Sequence, residues 1–115
     1  MRAMGAFGGG LGGNGEVCGA VAGAMAVFGL RFSRGRDSDL EDIRMWKFTR
    51  AFLKRFQEEI VKDYGSILCR DIARVDWTDR EQVRRFYSGD TTRECSRIVG
   101  DTARLVGEML EQTSL

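Results

Sequence analysis

The sequence predicts an all-α fold, a compact bundle of four to five helices around a central helix rich in glycine and alanine, in one domain over residues 1–115. Three observations predict it. Apolar residues recur at spacings of three and four in separate stretches, while apolar–polar alternation never runs beyond three or four residues. Capping signals recur as well. Ser38 with Glu41, Thr78 with Glu81 and Thr91 with Glu94 share the spacing at which a side chain and the backbone satisfy each other's orphan groups. Finally, 43% apolar and 30% charged residues in 115 positions suit one core and are too apolar for a disordered chain.

The chain opens on a loop over residues 1–14. Seven glycines fall within residues 5–15, and glycine loses the most backbone entropy in a helix or strand. Asn14 is a suitable N-cap and Glu16 suits the positive end of a helix, which predicts a helix from about residue 15 to 33. That helix is made of small residues, including Gly19, Ala20, Ala22, Gly23, Ala24 and Ala26. Each glycine costs a helix about 1 kcal/mol, so several imply close approach of another backbone and a central place.

Ser38 opens the next helix, and nothing breaks it before Gly65, a natural residue for a helix end. Met45, Thr49, Phe52, Phe56 and Ile60 form its apolar stripe, with Trp46 and Leu53 beside it. Lys47, Arg50, Lys54, Arg55, Glu58 and Glu59 form the solvated side, and Phe48 lies off the stripe. Ser66 caps a short helix with Ile67, Leu68, Cys69 and Ile72. Thr78 opens another through Phe86. Thr91 opens the last, to about Gln112, with Cys95, Ile98, Val99, Thr102, Leu105, Val106 and Met109 on one stripe.

Composition removes several function classes. The sequence has no histidine, which excludes Ser-His-Asp, Cys-His and His-ligated zinc chemistry within it. Its formal net charge is +1, so no strong field draws it to nucleic acid or anionic lipid. Arg80, Arg84, Arg85 and Arg93 lie near Phe86 and Tyr87, but Asp79, Glu81, Asp90 and Glu94 largely neutralise them, and nucleic-acid binding is not expected. The longest apolar run, Val17 to Leu30, has 14 residues, short of the roughly 20 a membrane span needs. A soluble, cytoplasmic protein is expected. The carboxylates are scattered, and no acid–base pair stands out.

Gly8-x-Gly10-x-x-Gly13 matches the dinucleotide-binding fingerprint. That motif works after a buried strand, in a strand–helix–strand unit, with an acidic residue about 20 positions on. Only seven residues precede Gly8, and no second strand follows. What remains is a weaker expectation: Gly8, Gly9, Gly10 and Gly19 as backbone contacts to an anionic cofactor at a helix start.

Cys18, Cys69 and Cys95 are odd in number and widely spaced, with no C-x-x-C. This pattern fits a reducing compartment, with thiols free or metal-bound. Each lies three or four residues past a proposed cap (Asn14, Ser66 and Thr91), in the first turn of a helix, where the dipole and free amides favour a thiolate. They are the candidate redox thiols and the candidate metal ligands. Thiolates suit an iron–sulfur cluster, zinc or copper(I). The bland reading is three core cysteines acting as small hydrophobes. Cys18, next to the glycine-rich loop, is expected to be the most reactive.

The stretch Cys18-Gly19-Ala20-Val21-Ala22-Gly23, preceded by Phe7-Gly8-Gly9-Gly10, resembles the signature of the C_GCAxxG_C_C family of redox-active proteins. Gly65-Ser66-Ile67-Leu68-Cys69 and Cys95 match its downstream elements in order. The resemblance covers nearly the whole chain. It implies an all-helical fold and a redox or metal role. It also implies a further N-terminal helix carrying a fourth cysteine. This sequence opens almost at Phe7 with three cysteines, which counts against a two-disulfide or four-thiolate arrangement.

Three functions follow as expectations: a thiolate site for a metal or iron–sulfur cluster, a dithiol/disulfide redox protein with a redox partner protein, or a non-catalytic helical module that self-associates and keeps structural cysteines. A homodimer is expected from the aromatic surface of Trp46, Phe48, Phe52 and Phe56, more than one narrow stripe buries.

Overall fold

The computed structural model describes residues 2–113; Met1 and the last two residues, part of the expected single domain, lie outside the described residues. About 68% of the structure is helical, and the described residues contain no strand beyond one isolated bridge, so the fold is all-α. Among the described residues there are five α-helices: α1 (Gly19–Phe32), α2 (Arg44–Arg55), α3 (Cys69–Ile72), α4 (Arg80–Ser88) and α5 (Thr91–Thr113).

Residues 2–7 form a 3-10 helix where a loop was expected. The glycines then turn the chain left-handedly. Gly9, Gly10, Leu11, Gly12 and Gly13 all have φ between 60° and 75°. Only glycine adopts that region at little cost, so the composition of this stretch serves the turn. Gly15 is also left-handed (φ 69°), and residues 16–18 run extended, so no helix can start at residue 15. Asn14 is not a cap; its side-chain amide donates to the carbonyls of Leu11 and Gly12. The N-cap of α1 is Cys18.

α1 buries Val21, Ala24, Phe28 and Phe32 at spacings of three and four and packs on α2, α5 and the N-terminal 3-10 helix. The close approach inferred from its glycines occurs at one of them. A methyl group at Gly19 would lie 3.0 Å from the Phe7 carbonyl oxygen, whereas Gly23 and Gly29 have open space.

The long second helix is shorter and interrupted. The Ser38–Glu41 box does not form. Instead Asp42 accepts from the Arg44 amide at 2.9 Å and from its guanidinium, and α2 starts at Arg44. Its last turn widens into a π-helical turn, Phe56–Ile60, in which the Val61 amide donates to the Phe56 carbonyl at 3.0 Å. The extra residue per turn lets Phe56, Ile60 and Val61 all reach the core. Gly65 ends the segment at φ 63°, as expected. The core centres on Phe28, Phe52 and Phe56, each 0% exposed, with Phe52 5.8 Å from both other rings. Ile98, Leu105, Val106 and Met109 of α5 close it.

α4 is capped by Asp79, one residue after the expected Thr78; its carboxylate accepts from the amides of Glu81 and Gln82. Thr78 instead donates to Asp76 at 2.6 Å. α5 starts with Thr91 as its first helical residue rather than its cap; the Glu94 carboxylate accepts from Tyr64 and Arg97 instead of closing a box with Thr91, and the helix packs on α1, α2 and α4.

Candidate thiol site

The site begins at an antiparallel bridge between Val17 and Leu68. The Cys18 amide donates to the Ile67 carbonyl at 2.8 Å and the Cys69 amide to the Glu16 carbonyl at 2.6 Å. This pattern holds the residue after each bridge partner on a common face, because side chains alternate along an extended chain. Those two residues are Cys18 and Cys69. Each then opens a helix, Cys18 as N-cap of α1 and Cys69 as first residue of α3. The bridge thus joins two cysteines 51 positions apart in sequence. Ser66 stiffens the approach to α3 by accepting from the Leu68 amide and donating to Asp71 at 2.6 Å.

Gly10 fits against this bridge. A methyl group there would meet the Cys69 Cβ at 2.6 Å and the Glu16 backbone at 2.7 and 2.8 Å. Cys95 arrives from α5. It is the fifth residue of that helix, beyond the first turn in which it was expected. All three cysteines carry free thiols and line one cleft of about 230 Å³ with Gly9, Gly10, Gly19, Trp77 and Phe86. Gly8, the remaining glycine of the expected set, is outside it. The amides of Leu11, Gly12, Gly13, Gly15 and Glu16 donate to carbonyls of residues 6–10, so the turn uses them internally.

Helix-start placement does not make the Cys18 thiol acidic. Burial pushes the Cys18 thiol above its ordinary value; the amides of Ala20 and Val21 pull the other way without closing a cap hydrogen bond, and they lose. Cys95 is pushed up to about 11, by burial first and then by the nearby Cys18 and Cys69 sulfurs. In a crowded, partly dry cluster, desolvation outweighs the helix dipole.

Trp77 was not singled out by its sequence position. It packs beside Cys69 and Cys95, meets Phe86 edge to face at 5.1 Å, and has a buried indole nitrogen with no hydrogen-bond partner. The only signal in sequence was a tryptophan between two short predicted helices, which carries no chemistry by itself.

A small helical fold that turns three free thiols into one cleft defines a class of cysteine-cluster protein. Within that class, the chain belongs to the family described as "Putative redox-active protein (C_GCAxxG_C_C)", whose model matches residues 1–109. No curated protein and no solved structure matches the chain.

Among the described residues, no group of three or more cysteine, aspartate and glutamate side chains is arranged to hold a metal ion. As placed, the sulfurs do not fit the metal or iron–sulfur centre expected from their number. No helix among the described residues is long and apolar enough to cross a membrane.

Proposed function

We propose that this protein is a dithiol/disulfide redox protein in which Cys18 and Cys69 are the cycling pair and Cys95 is the third thiol. The observation that carries the reading is the Val17–Leu68 bridge, which sets these two cysteines side by side at two helix starts. Diagonal neighbours across a regular ladder stand about 7–8 Å apart, so forming an S–S bond of about 2.05 Å requires the two helix starts to approach. In the reaction, two thiols lose two protons and two electrons to an acceptor disulfide. One S–S bond forms in this protein, one breaks in the acceptor, and the acceptor leaves as two thiols. The acceptor class is a disulfide, small or on a redox partner protein, and a reducing compartment such as the cytoplasm would regenerate the dithiol.

The same reading takes the protein as a homodimer. Leu30, Ile43 and Trp46 are 84%, 83% and 51% exposed, and the half-buried Met25 and Leu53 continue the apolar surface beside Trp46. Phe48 is half-buried and stacks on Phe32 at 5.5 Å.

The test counts thiols and metal together on protein purified without oxygen. Treatment with hydroxyethyl disulfide should lower the titratable thiols from three to one. Three thiols left unchanged would overturn the dithiol reading, and a stoichiometric bound metal would favour the metal centre over it.

A further inference from the structure

Resting on the dithiol reading, we infer that the thiol cleft is a binding site for a small neutral hydroperoxide, held by the Trp77 indole N–H. The walls set the chemistry. Apart from the thiols, the cleft is lined by glycine, alanine, aliphatic and aromatic residues, and none of its lining residues is charged. An anionic ligand would lose its hydration there with no cation to replace it. A volume of about 230 Å³ admits a molecule of a few heavy atoms. Trp77 and Phe86 meet at 72°, and Phe86 and Tyr87 at 79°, so these rings fill each other's edges and leave no parallel-walled slot for a planar ring.

One polar group points to the ligand. A methyl group at Gly13 would lie 3.6 Å from the Trp77 Cβ, and one at Gly9 would lie 3.2 Å from Nε1. The indole therefore runs from Gly13 toward Gly9, which lines the cleft, with its N–H at that end. This N–H is buried and unpaired. A buried donor without an acceptor is unfavourable, and an acceptor oxygen bound at the Gly9 end of the indole relieves it. Gly10, the next residue, sits on Cys69. The indole N–H and the Cys69 side chain thus each lie against one of two consecutive glycines, and both residues line the cleft.

The chemistry balances in two steps. The Cys69 sulfur attacks the outer peroxide oxygen; an S–O bond forms, the O–O bond breaks, and the proton lost from the Cys69 thiol passes to the alkoxide, which leaves as an alcohol. The Cys18 thiol then attacks the Cys69 sulfenic sulfur; the S–S bond forms and the S–O bond breaks, releasing water with the Cys18 proton. Two thiols and one hydroperoxide become one disulfide, one alcohol and one water.

The probe is tert-butyl hydroperoxide. The folded protein should lose its Cys69 thiol at least about tenfold faster than the same protein unfolded at the same pH, and Cys18→Ser should accumulate a sulfenic acid at Cys69 that dimedone traps. Trp77→Phe should lower the peroxide rate about tenfold relative to the rate with hydroxyethyl disulfide, as loss of one hydrogen bond in the transition state would. Val99→Phe supplies a second variant. Val99 lines the cleft but is 58% exposed, so a larger side chain there narrows the mouth without entering the core. It should slow tert-butyl hydroperoxide more than hydrogen peroxide. Equal rates in folded and unfolded protein, equal slowing of both oxidants by Trp77→Phe, or no size selectivity in Val99→Phe would overturn the inference. If hydroxyethyl disulfide still closes the Cys18–Cys69 disulfide, the dithiol reading survives that result; if neither oxidant closes it, both fall.

Discussion

Gly10 shows how much of the site rests on a missing side chain. Its φ is 67°, and a Cβ there would press on Cys69 and the Glu16 backbone. Gly10→Ala should cost about 2 kcal/mol or more in urea unfolding, since strain and overpacking coincide. It should also lower the yield of the Cys18–Cys69 disulfide. Cys95 makes a pH-dependent prediction. Its pKa is raised from an ordinary thiol value of 9.0 to about 11, so folding favours the protonated thiol. The stability it contributes is present below about pH 9 and is lost as pH rises toward 11. Denaturation midpoints should fall over that window in the wild type, and the fall should shrink in Cys95→Ala. At neutral pH iodoacetamide should label Cys18 before Cys95. The sequence made the three cysteines legible as candidates but misjudged the charge of Cys18 and Cys95. The walls that keep water from them include residues as distant in sequence as Trp77 and Phe86.

At the scale of elements, periodicity was the most faithful guide and caps the least. Of the expected stripe on α2 and its π-turn, Met45, Phe52, Phe56 and Ile60 are buried and Thr49 is half-buried; on α5 Ile98, Thr102, Leu105, Val106 and Met109 are buried, Cys95 is half-buried and Val99 is 58% exposed. Phe52→Ala should therefore cost about 3–5 kcal/mol by urea denaturation, because the ring is fully buried between Phe28 and Phe56. The caps failed where a neighbouring carboxylate did better: Asp79 displaced Thr78, and Asp42 displaced Ser38. Ser/Thr-x-x-Glu spacing cannot show which of several adjacent oxygens the backbone will select. Asp79→Ala should lower the unfolding midpoint at pH 7. The loss should disappear in acid, because hydrogen bonds from the Gln82 and Glu81 amides hold the Asp79 carboxyl below its usual range and their contribution fades as it protonates. The π-turn at Phe56–Ile60 was illegible for a different reason. It is a one-residue adjustment to neighbouring packing, and the local pattern there still reads as α-helix.

At the scale of the whole molecule, the fold gathers three separated cysteines by pairing the residues before α1 with those before α3 through the Val17–Leu68 bridge and by packing α5 on α1. Helical class and family were legible from the chain alone. The bridge between Val17 and Leu68 was not, because two paired residues leave no alternation to detect. Association belongs to this scale too. Light scattering at micromolar concentration should give about twice the 12.9 kDa chain mass, and Trp46→Glu should return the species to the chain mass. A 12.9 kDa species in the wild type would remove the dimer. The central claim is that Cys18 and Cys69 form the redox pair. The most direct measurement equilibrates the protein in a series of dithiol/disulfide buffers, quenches with an alkylating agent and maps the peptides by mass spectrometry. The account predicts one two-electron transition, a linked pair of peptides containing Cys18 and Cys69, and Cys95 alkylated throughout. A linked pair that includes Cys95, or no linked pair at any potential, would contradict it.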